Sequence, residues 1–490
     1  MKTNLIRMIS TSILGLGLCA ANAQDSEVEQ FRKEIRELRK HVEDLEKKVQ
    51  ASEQKPKEAP PPPPPVTPTP PAQPEQAATP PVTKPWSPAD PIRIGKGNAY
   101  ADIGMVATFA VGSSSASDIE GGTQLGGHDP NQRGFTVQGV ELNLQGAVDP
   151  YFRGNANISY QLDSHGESFF ELEEAWLESV SLPWNLQVRG GQILTDFGRI
   201  NTQHPHSWAF VDSPLVSARL LGEDGLRNPG ARLSWLAPTP WYTELFFTVQ
   251  NSQGDTASSF RSDHDDDPFF GRLHNEGRVK SFGDMLFTPR LVTSFDLTDN
   301  QTVMAGLSGA FGPNGSGNDT DTQIYGADLY WKWKPANAHG GFPFVSWQTE
   351  AMFRRYEAGA FSEDSNGNGI LDPGEPDLNG DGIADSVTRE TLKDWGAYSQ
   401  VLWGFRKGWV AGLRGDYVTP VEKGAYEAVY GRDSDRAMRW RLSPNLTWYP
   451  SEFSKIRLQY NYDYRQDIGS DHSVWLQFEF LLGAHAAHKF

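Results

Sequence analysis

The sequence predicts an all-β chain: a 16-stranded antiparallel transmembrane β-barrel, preceded by a short N-terminal coiled-coil helix and a Pro-rich linker. Three observations predict it. From about residue 98 onward the dominant hydrophobic period is two. The polar half of that alternation carries arginines, while the apolar half carries Trp and Tyr. The connections between alternating runs include a short set and a long set.

Individual runs make the alternation explicit. "KIRLQYNYDYR" places Ile456, Leu458, Tyr460, Tyr462 and Tyr464 on one face and Arg457, Gln459, Asn461, Asp463 and Arg465 on the other. In "RWRLSPNLTW", Trp440, Leu442, Leu446 and Trp448 oppose Arg439, Arg441, Ser443, Asn445 and Thr447. Successive strand side chains point to opposite faces, so one face is apolar and one polar. A soluble sandwich has that property too, but arginines facing aromatics fit lipid outside and water inside. Sixteen runs qualify: 99–112, 134–147, 152–163, 168–180, 185–193, 229–237, 241–251, 285–297, 301–311, 322–335, 342–358, 392–404, 409–418, 436–449, 454–465 and 473–490. The short connections include "VDPY", "LPWN", "APTP", "LTDN", "FRKG" and "YPSEF"; the long ones are 113–133, 194–228, 252–284, 359–391 and 419–435. An even strand count with both barrel ends on the short-turn side closes, with short turns periplasmic and long loops external. Tyr151, Phe152, Trp184, Trp241, Tyr242, Trp409 and Tyr449 gather beside the short turns, where an interfacial aromatic girdle is expected.

Residues 1–23 read as a signal peptide. Lys2 and Arg7 supply a basic start, Ile9 to Ala20 an apolar run, and Ala21–Ala23 a small-residue cleavage site. The single cysteine, Cys19, lies inside that segment, so the mature chain is expected to lack thiol chemistry. In 24–54, Val28, Phe31, Ile35, Leu38, Val42, Leu45 and Val49 form an a/d seam over three heptads, the pattern of a periplasmic coiled coil. Its Val and Ile at a with Leu at d point to a dimer. Residues 55–90 are a Pro-rich linker that favours extended polyproline II and spans on the order of 100 Å at about 3.1 Å per residue. The barrel is assigned to 91–490.

The 490 residues carry a net charge of −18 and a mean hydropathy of −0.53. An acidic balance argues against a nucleic-acid partner. After the N-terminus no run of about 18 apolar residues offers a transmembrane helix. In loop 359–391, Asp364, Asn366, Asn368, Asp372 and Glu375 occupy positions 1, 3, 5, 9 and 12 of a calcium loop, with Gly369 at 6 and the Ile370 carbonyl at 7. Asp377, Asn379, Asp381, Ile383 and Asp385 repeat positions 1, 3, 5, 7 and 9, but Thr388 stands at 12. Between Glu363 and Asp385 lie seven carboxylates and no Lys or Arg, so calcium is the expected cofactor of this external loop and no organic cofactor is expected. No G-x-S-x-G or H-E-x-x-H occurs, and no enzyme is expected.

By this organisation, residues 98–490 resemble bacterial outer-membrane porins of the sixteen-stranded kind, including relatives of phosphate-selective porins. "FGRINTQHPHSWAFVDSPL" (197–215) followed by "GEDGL" (222–226) also resembles a little-studied group of outer-membrane barrels, some labelled TonB-dependent receptors. This chain departs from true receptors, having no room for a plug domain and 22 strands. In the final run, Val474, Leu476, Phe478, Phe480, Leu482, Ala484, Ala486 and Phe490 share one parity, and the terminal Phe490 resembles the assembly signal of outer-membrane proteins. The resemblance implies partners: outer-membrane lipid, the barrel assembly machinery and further copies of the chain, as a trimer rather than the dimer the heptads suggest. It also implies that the third external loop, 194–228, folds into the lumen and narrows it. That loop carries Asp196, Arg199, His204, His206, Asp212, Arg219, Glu223, Asp224 and Arg227, a mixed-sign constriction. The expected function is an outer-membrane porin passing small hydrophilic solutes or ions by diffusion. The alternatives are a selective channel, for phosphate or another anion or for zinc through His204 and His206, and a structural tether reaching peptidoglycan. Lumen-facing Arg153, Arg439, Arg441, Arg457 and Arg465 would favour anions locally, with Glu141, Glu171, Glu173, Glu244 and Glu350 opposing them.

Overall fold

The computed structural model describes residues 92–96, 99–147, 149–163, 165–262, 268–274 and 278–483. The expected signal peptide (1–23), coiled coil (24–54), linker (55–90) and assembly residue Phe490 lie outside the described residues. Sixteen long strands form: β1 (Ala99–Ser114), β2 (Gly134–Ala147), β3 (Phe152–Leu162), β4 (Ser168–Ser179), β5 (Leu186–Leu194), β6 (Arg227–Leu236), β7 (Tyr242–Gln250), β8 (Leu286–Thr298), β9 (Gln301–Pro313), β10 (Asp321–Trp333), β11 (Phe344–Ala358), β12 (Glu390–Arg406), β13 (Trp409–Pro420), β14 (Arg439–Ser451), β15 (Ser454–Arg465) and β16 (Gly469–Gly483). Each pairs antiparallel with its sequence neighbours. β16 then pairs with β1, from Ser473↔Ser114 to Gly483↔Gly104, and the sheet closes. Closure leaves no open edge, which hydrocarbon demands because it cannot hydrogen-bond a bare backbone. Beyond Gly104 the same edge of β1 is taken by a short strand, Ile92–Lys96, in register Ile92↔Ile103 to Lys96↔Ala99.

The faces are inverted relative to a soluble domain. On β15 Arg457, Gln459, Asn461 and Asp463 are buried, whereas Leu458 is 50% exposed. Trp403, Leu413, Leu307 and Trp448 are likewise exposed on the outer wall. Polar groups therefore fill the interior and apolar ones coat the exterior. Tyr151, Phe152, Trp184, Trp241 and Tyr242 are exposed beside the short turns. Tyr449 departs from that girdle: it shares the parity of the inward-facing Thr447 and lines the interior. The length alternation is also partial. On the long-loop side the connections 163–167, 314–320 and 466–468 are short, and on the opposite side 334–343 is not.

The third long-side connection, 195–226, runs inside the barrel. Its apolar residues Phe197, Ile200, Leu215, Val216, Leu220, Leu221 and Leu226 pack with Ala310, Ile324, Met352, Tyr398 and Val418 of β9 to β13. It contains a helix not expected from the sequence, α1 (Leu215–Leu221), almost wholly buried. Two glycines permit this approach. A Cβ at Gly326 would lie 2.7 Å from the Phe197 ring, and Gly198 turns the chain at φ +59° against Glu350. The Glu350 carboxylate then accepts the Arg199 and Ile200 amides at 2.9 and 2.8 Å.

Because the outer wall is set by parity, Leu458→Arg should destabilise the barrel by about 2–4 kcal/mol in urea unfolding from lipid vesicles, while Leu458→Phe should leave the midpoint close to wild type.

Candidate functional site: the lumen passage

Two cavities flank the inner loop. One of about 600 Å³ opens on the long-loop side, lined by Asp118, Glu120, Arg219, Glu223, Asp255, Arg432, Asp435, Arg439 and Arg465 among others. The other, about 400 Å³, lies on the short-turn side, lined by Arg199, His206, Tyr330, Lys332, Gln348, Tyr449 and Lys455 among others. Between them sits a narrow cavity of about 40 Å³, whose lining includes His128, Glu173, His204, Glu223, Asp224 and Arg227. Gln203 and Trp208 line both the narrow cavity and the short-turn one; Gly222 and Glu223 line both it and the long-loop one. The three cavities lie one after another along the lumen: an outer vestibule, a narrow central cavity (the candidate passage) and an inner vestibule.

One carboxylate anchors the inner loop. Asp212, fully buried, accepts from Arg414 (2.6 Å), Arg441 (2.9 Å), Gln459 (3.0 Å) and Asn461 (2.8 Å), side chains of β13, β14 and β15. Burial alone would raise its pKa, but the Arg414 and Arg441 charges hold it at about 2. This corrects one expectation: Asp212 binds the wall rather than lining the constriction. Asp196 is similarly engaged, 3.3 Å from Arg232. Of the remaining expected residues, His204, Glu223, Asp224 and Arg227 come together at the passage. Arg199 and His206 face the inner vestibule, and Arg219 faces the outer one.

The expected anion preference of the wall arginines is also corrected. Arg439 and Arg441 pair with Asp463 (2.7 and 3.0 Å), and Arg465 with Asp118 and Asp471 (2.7 and 2.8 Å). Arg457 donates to Gln477 and to the Trp208 carbonyl, both at 2.8 Å. Arg153 pairs with Glu178. For Arg439, Arg441 and Arg465 a buried guanidinium satisfied by carboxylates presents little free positive potential, whereas Arg457 is held by neutral acceptors and Arg153 is half exposed.

The passage gathers the opposite chemistry. His204 Nδ1 is 2.7 Å from Glu173 and its Nε2 3.1 Å from Glu174. Burial would lower the imidazole pKa, but these two hydrogen bonds outweigh it and raise it well above its usual value. His206 Nδ1 is 2.9 Å from Glu141. His128, from loop 115–133, places Nε2 3.4 Å from Glu173. Glu173 and Glu174 are sequence neighbours yet both face inward, because β4 is bulged there: Asn157 pairs with Glu174 and Ile158 with Leu172, leaving Glu173 between them. A second bulge lies at Gln138 of β2, whose side chain donates to the His128 carbonyl at 2.7 Å. Sequence reading had left His128 out and had not joined the lumen glutamates to the histidines. The doublet Glu173–Glu174, a break in strict alternation, was the available signal.

The calcium-type stretch forms a closed lobe on the long-loop side. Its base is a pair of two-residue strands, Phe361–Ser362 and Ser386–Val387. Asp364 accepts the Gly367 and Gly369 amides, and Asp377 accepts those of Gly380 and Gly382, so the two repeats fold alike. Asn366 and Asn368 donate to Asp372, and Asn379 donates to Asp381 and Asp385. Ile370 and Ile383 each donate an amide within their own repeat. Glu375 accepts the amides of Ser365 and Asp372, positions 2 and 9 of the first repeat. Glu363, fully buried, accepts those of Leu378 and Asp385, positions 2 and 9 of the second. The place left empty by Thr388 is thus filled from upstream.

Removing the anchor tests the loop's docking. Asp212→Asn leaves Arg414 and Arg441 short of a buried counter-charge, a loss of about 3–5 kcal/mol. Protease cleavage within 195–226, slow in wild type, should become fast in this variant.

No protein-family model matches the chain. Among solved structures the barrel is similar to the outer membrane channel DcaP of Acinetobacter baumannii (11% identity, TM-score 0.49, covering 78% of this chain and 97% of that one). It is also similar to an anion-selective porin from Comamonas acidovorans (8%, 0.45, 78% and 100%) and to Salmonella typhi OmpF in complex with daunomycin (11%, 0.43, 80% and 100%). At such identities no residue role passes from them to this chain. In sequence, an uncharacterized protein of Aquifex aeolicus (strain VF5) is 31% identical over 386 residues, 74% of this chain and 73% of that protein. The chain belongs to the same family as that Aquifex aeolicus protein.

Proposed function

We propose that the protein is a bacterial outer-membrane channel through which small hydrophilic solutes or ions diffuse, constricted by the inner loop. The observation that carries this reading is the chain of shared lining residues: two polar vestibules meet at one narrow passage, inside a barrel whose exterior is apolar. Cation preference is supported by number: six carboxylates at and beside the passage (Glu141, Glu171, Glu173, Glu174, Glu223 and Asp224) stand against Arg227 and three histidines, His128, His204 and His206. In planar bilayers the refolded chain should give stable current steps whose reversal potential under a salt gradient shows cation preference. Folded protein without steps would overturn the reading.

The same passage should titrate near neutrality. Burial, and then the charges of Asp224, Glu120 and Asp255, push the Glu223 carboxyl up to about 7, with His128 opposing. It is neutral below that pH and charged above it. Cation preference should therefore rise between about pH 6 and about pH 8, and Glu223→Gln should flatten the rise.

A second reading concerns the external lobe: calcium binds both repeats and stiffens it over the pore mouth. The duplicated amide pattern of Glu375 and Glu363 supports it, because each carboxylate sits where a calcium loop's closing glutamate is needed. Affinity near 10⁻⁴–10⁻³ M, about that of extracellular modules, suits its position. Calcium should protect residues 359–391 from protease and EGTA should remove the protection. Glu363→Gln and Glu375→Gln should each shift protection to higher calcium. Cleavage indifferent to EGTA would sink the reading.

A further inference from the structure

The passage holds more carboxylate than its own cations satisfy. At the passage and in the wall beside it, Glu141, Glu171, Glu173, Glu174 and Asp224 converge on three histidines, and one guanidinium, Arg227, reaches Glu171 and Asp224. Glu173 is 1% exposed, yet its Oε1 makes no hydrogen bond; Asp224 Oδ1 also makes none. Both oxygens face His128 Nε2, at 3.4 and 3.8 Å, without a hydrogen bond, and buried carboxylate oxygens so placed cost free energy unless something positive meets them more closely.

Two groups of three donors are placed to supply that meeting. His128, Glu171 and Glu173 each bring one donor atom within 4.8 Å of the others, and so do Glu141, Glu173 and His204. Glu173 belongs to both. Ligands at about 2.1 Å from a tetrahedral zinc ion lie roughly 3.4 Å apart. The distances from His128 Nε2 to Glu173 and Glu171 are 3.4 and 3.9 Å, and from His204 Nδ1 to Glu173 and Glu141 2.7 and 3.9 Å. Small side-chain rotations convert these into ligand separations.

The outer hydrogen bonds fit as well. With His128 Nε2 directed at the carboxylates, its Nδ1 faces the Gln138 carbonyl at 3.2 Å. With His204 Nδ1 directed at Glu173, its Nε2 faces Glu174 at 3.1 Å, and the Asn157 side-chain amide lies 2.6 Å from the same nitrogen. A ligating imidazole whose second nitrogen donates to a carbonyl or a carboxylate is the arrangement that fixes tautomer and orientation at metal sites. Both bulges stand beside the cluster: one brings Glu173 and Glu174 to the same face, the other supplies the Gln138 carbonyl.

We propose that this cluster binds divalent transition-metal cations of the zinc class at two adjacent positions sharing Glu173, on the path between the vestibules. Imidazole with carboxylate selects such ions over calcium and magnesium, which prefer all-oxygen sites. Binding replaces the proton on His204 Nδ1, which leaves to solvent, while the Nε2 proton stays on the bond to Glu174. Two neighbouring weak positions suit passage of the ion, since conduction needs binding tight enough to enter and divided enough to leave. Binding stands on the cluster alone; passage rests on the channel reading.

Cobalt(II) is the probe for the site, titrated into the refolded full-length chain with calcium in excess to occupy the external lobe. Wild type should develop the visible absorption of imidazole-bound cobalt. Glu173→Gln, which alters both positions, and His204→Ala should each lose it. Glu174→Gln, which removes a positioning group, should keep the spectrum and weaken binding about 10- to 100-fold. No cobalt spectrum in wild type, or one unchanged in Glu173→Gln and His204→Ala, overturns the proposal. Current recording separates the two readings. Micromolar zinc should depress the wild-type potassium current and leave that of Glu173→Gln unaffected. Current without zinc block or cobalt spectrum removes the site and keeps the channel. Cobalt binding without current keeps the site and removes the channel.

Discussion

The interior of this barrel depends on one buried carboxylate. Asp212 sits on a loop, yet its donors come from β13, β14 and β15, and the helix that follows it, α1, packs on the adjoining wall of β11, β12 and β13. A loop crossing a water-filled lumen gains little from packing alone, because solvent competes for each contact. A charge buried against two guanidiniums and two amides is different: undocking must separate charges in a medium of low effective dielectric. Once Asp212 is fixed, α1 is carried against Met352, Tyr398 and Val418, and the apolar cluster seals that half of the lumen. The passage remains on the other side, beside β2, β3 and β4. Pairing on one wall therefore decides both where the opening lies and what charge it carries. Arginine–carboxylate pairs hold the loop on one wall, and histidine–carboxylate contacts hold it on the other.

The strand bulges matter for the same reason. Strict alternation would send either Glu173 or Glu174 into lipid, at a cost of several kcal/mol. The extra residue in β4 moves both into the lumen, where His204 bridges them. At Gln138 the bulge shifts the parity of β2 so that Gln138 and Glu141 both point inward, one holding loop 115–133 and the other His206. A barrel built without these irregularities would have the same exterior and no such cluster.

The sequence showed the sixteen strands because strand parity is local: each residue's face follows from its neighbour's, and lipid enforces the pattern. It showed the entry of loop 194–228 into the lumen only by resemblance. It did not show which loop residues bind the wall and which face the opening, because Asp212 and Glu223 look alike until Arg414 and Arg441 are found more than two hundred positions away. His128 was invisible for a similar reason, lying 76 residues before His204. The place of Glu363 is hidden in the sequence because a calcium loop is read forward from its first aspartate, whereas the carboxylate that bonds positions 2 and 9 of the second repeat lies before the first. Tyr449 was placed in the girdle by its proximity to a turn, where parity with Thr447 should have prevailed.

The two proposed cation sites differ in a way that keeps them from competing. The external lobe offers carboxylates, amide carbonyls and backbone oxygens, a hard donor set that suits large, labile cations. The passage offers two imidazoles against shared carboxylates, with second-sphere bonds that hold the rings in one orientation, a set that suits smaller and more polarising ions. An ion abundant outside the cell would saturate the lobe without filling the passage, and a scarce transition metal would cross the outer vestibule without being held by the lobe. On the two proposals together, calcium would be retained outside and a softer ion admitted inside, a division of labour set by donor chemistry. The outer vestibule is of mixed sign, with Asp118, Glu120, Glu223, Asp255 and Asp435 beside Arg219, Arg432, Arg439 and Arg465, so on this proposal discrimination would begin only where imidazole does.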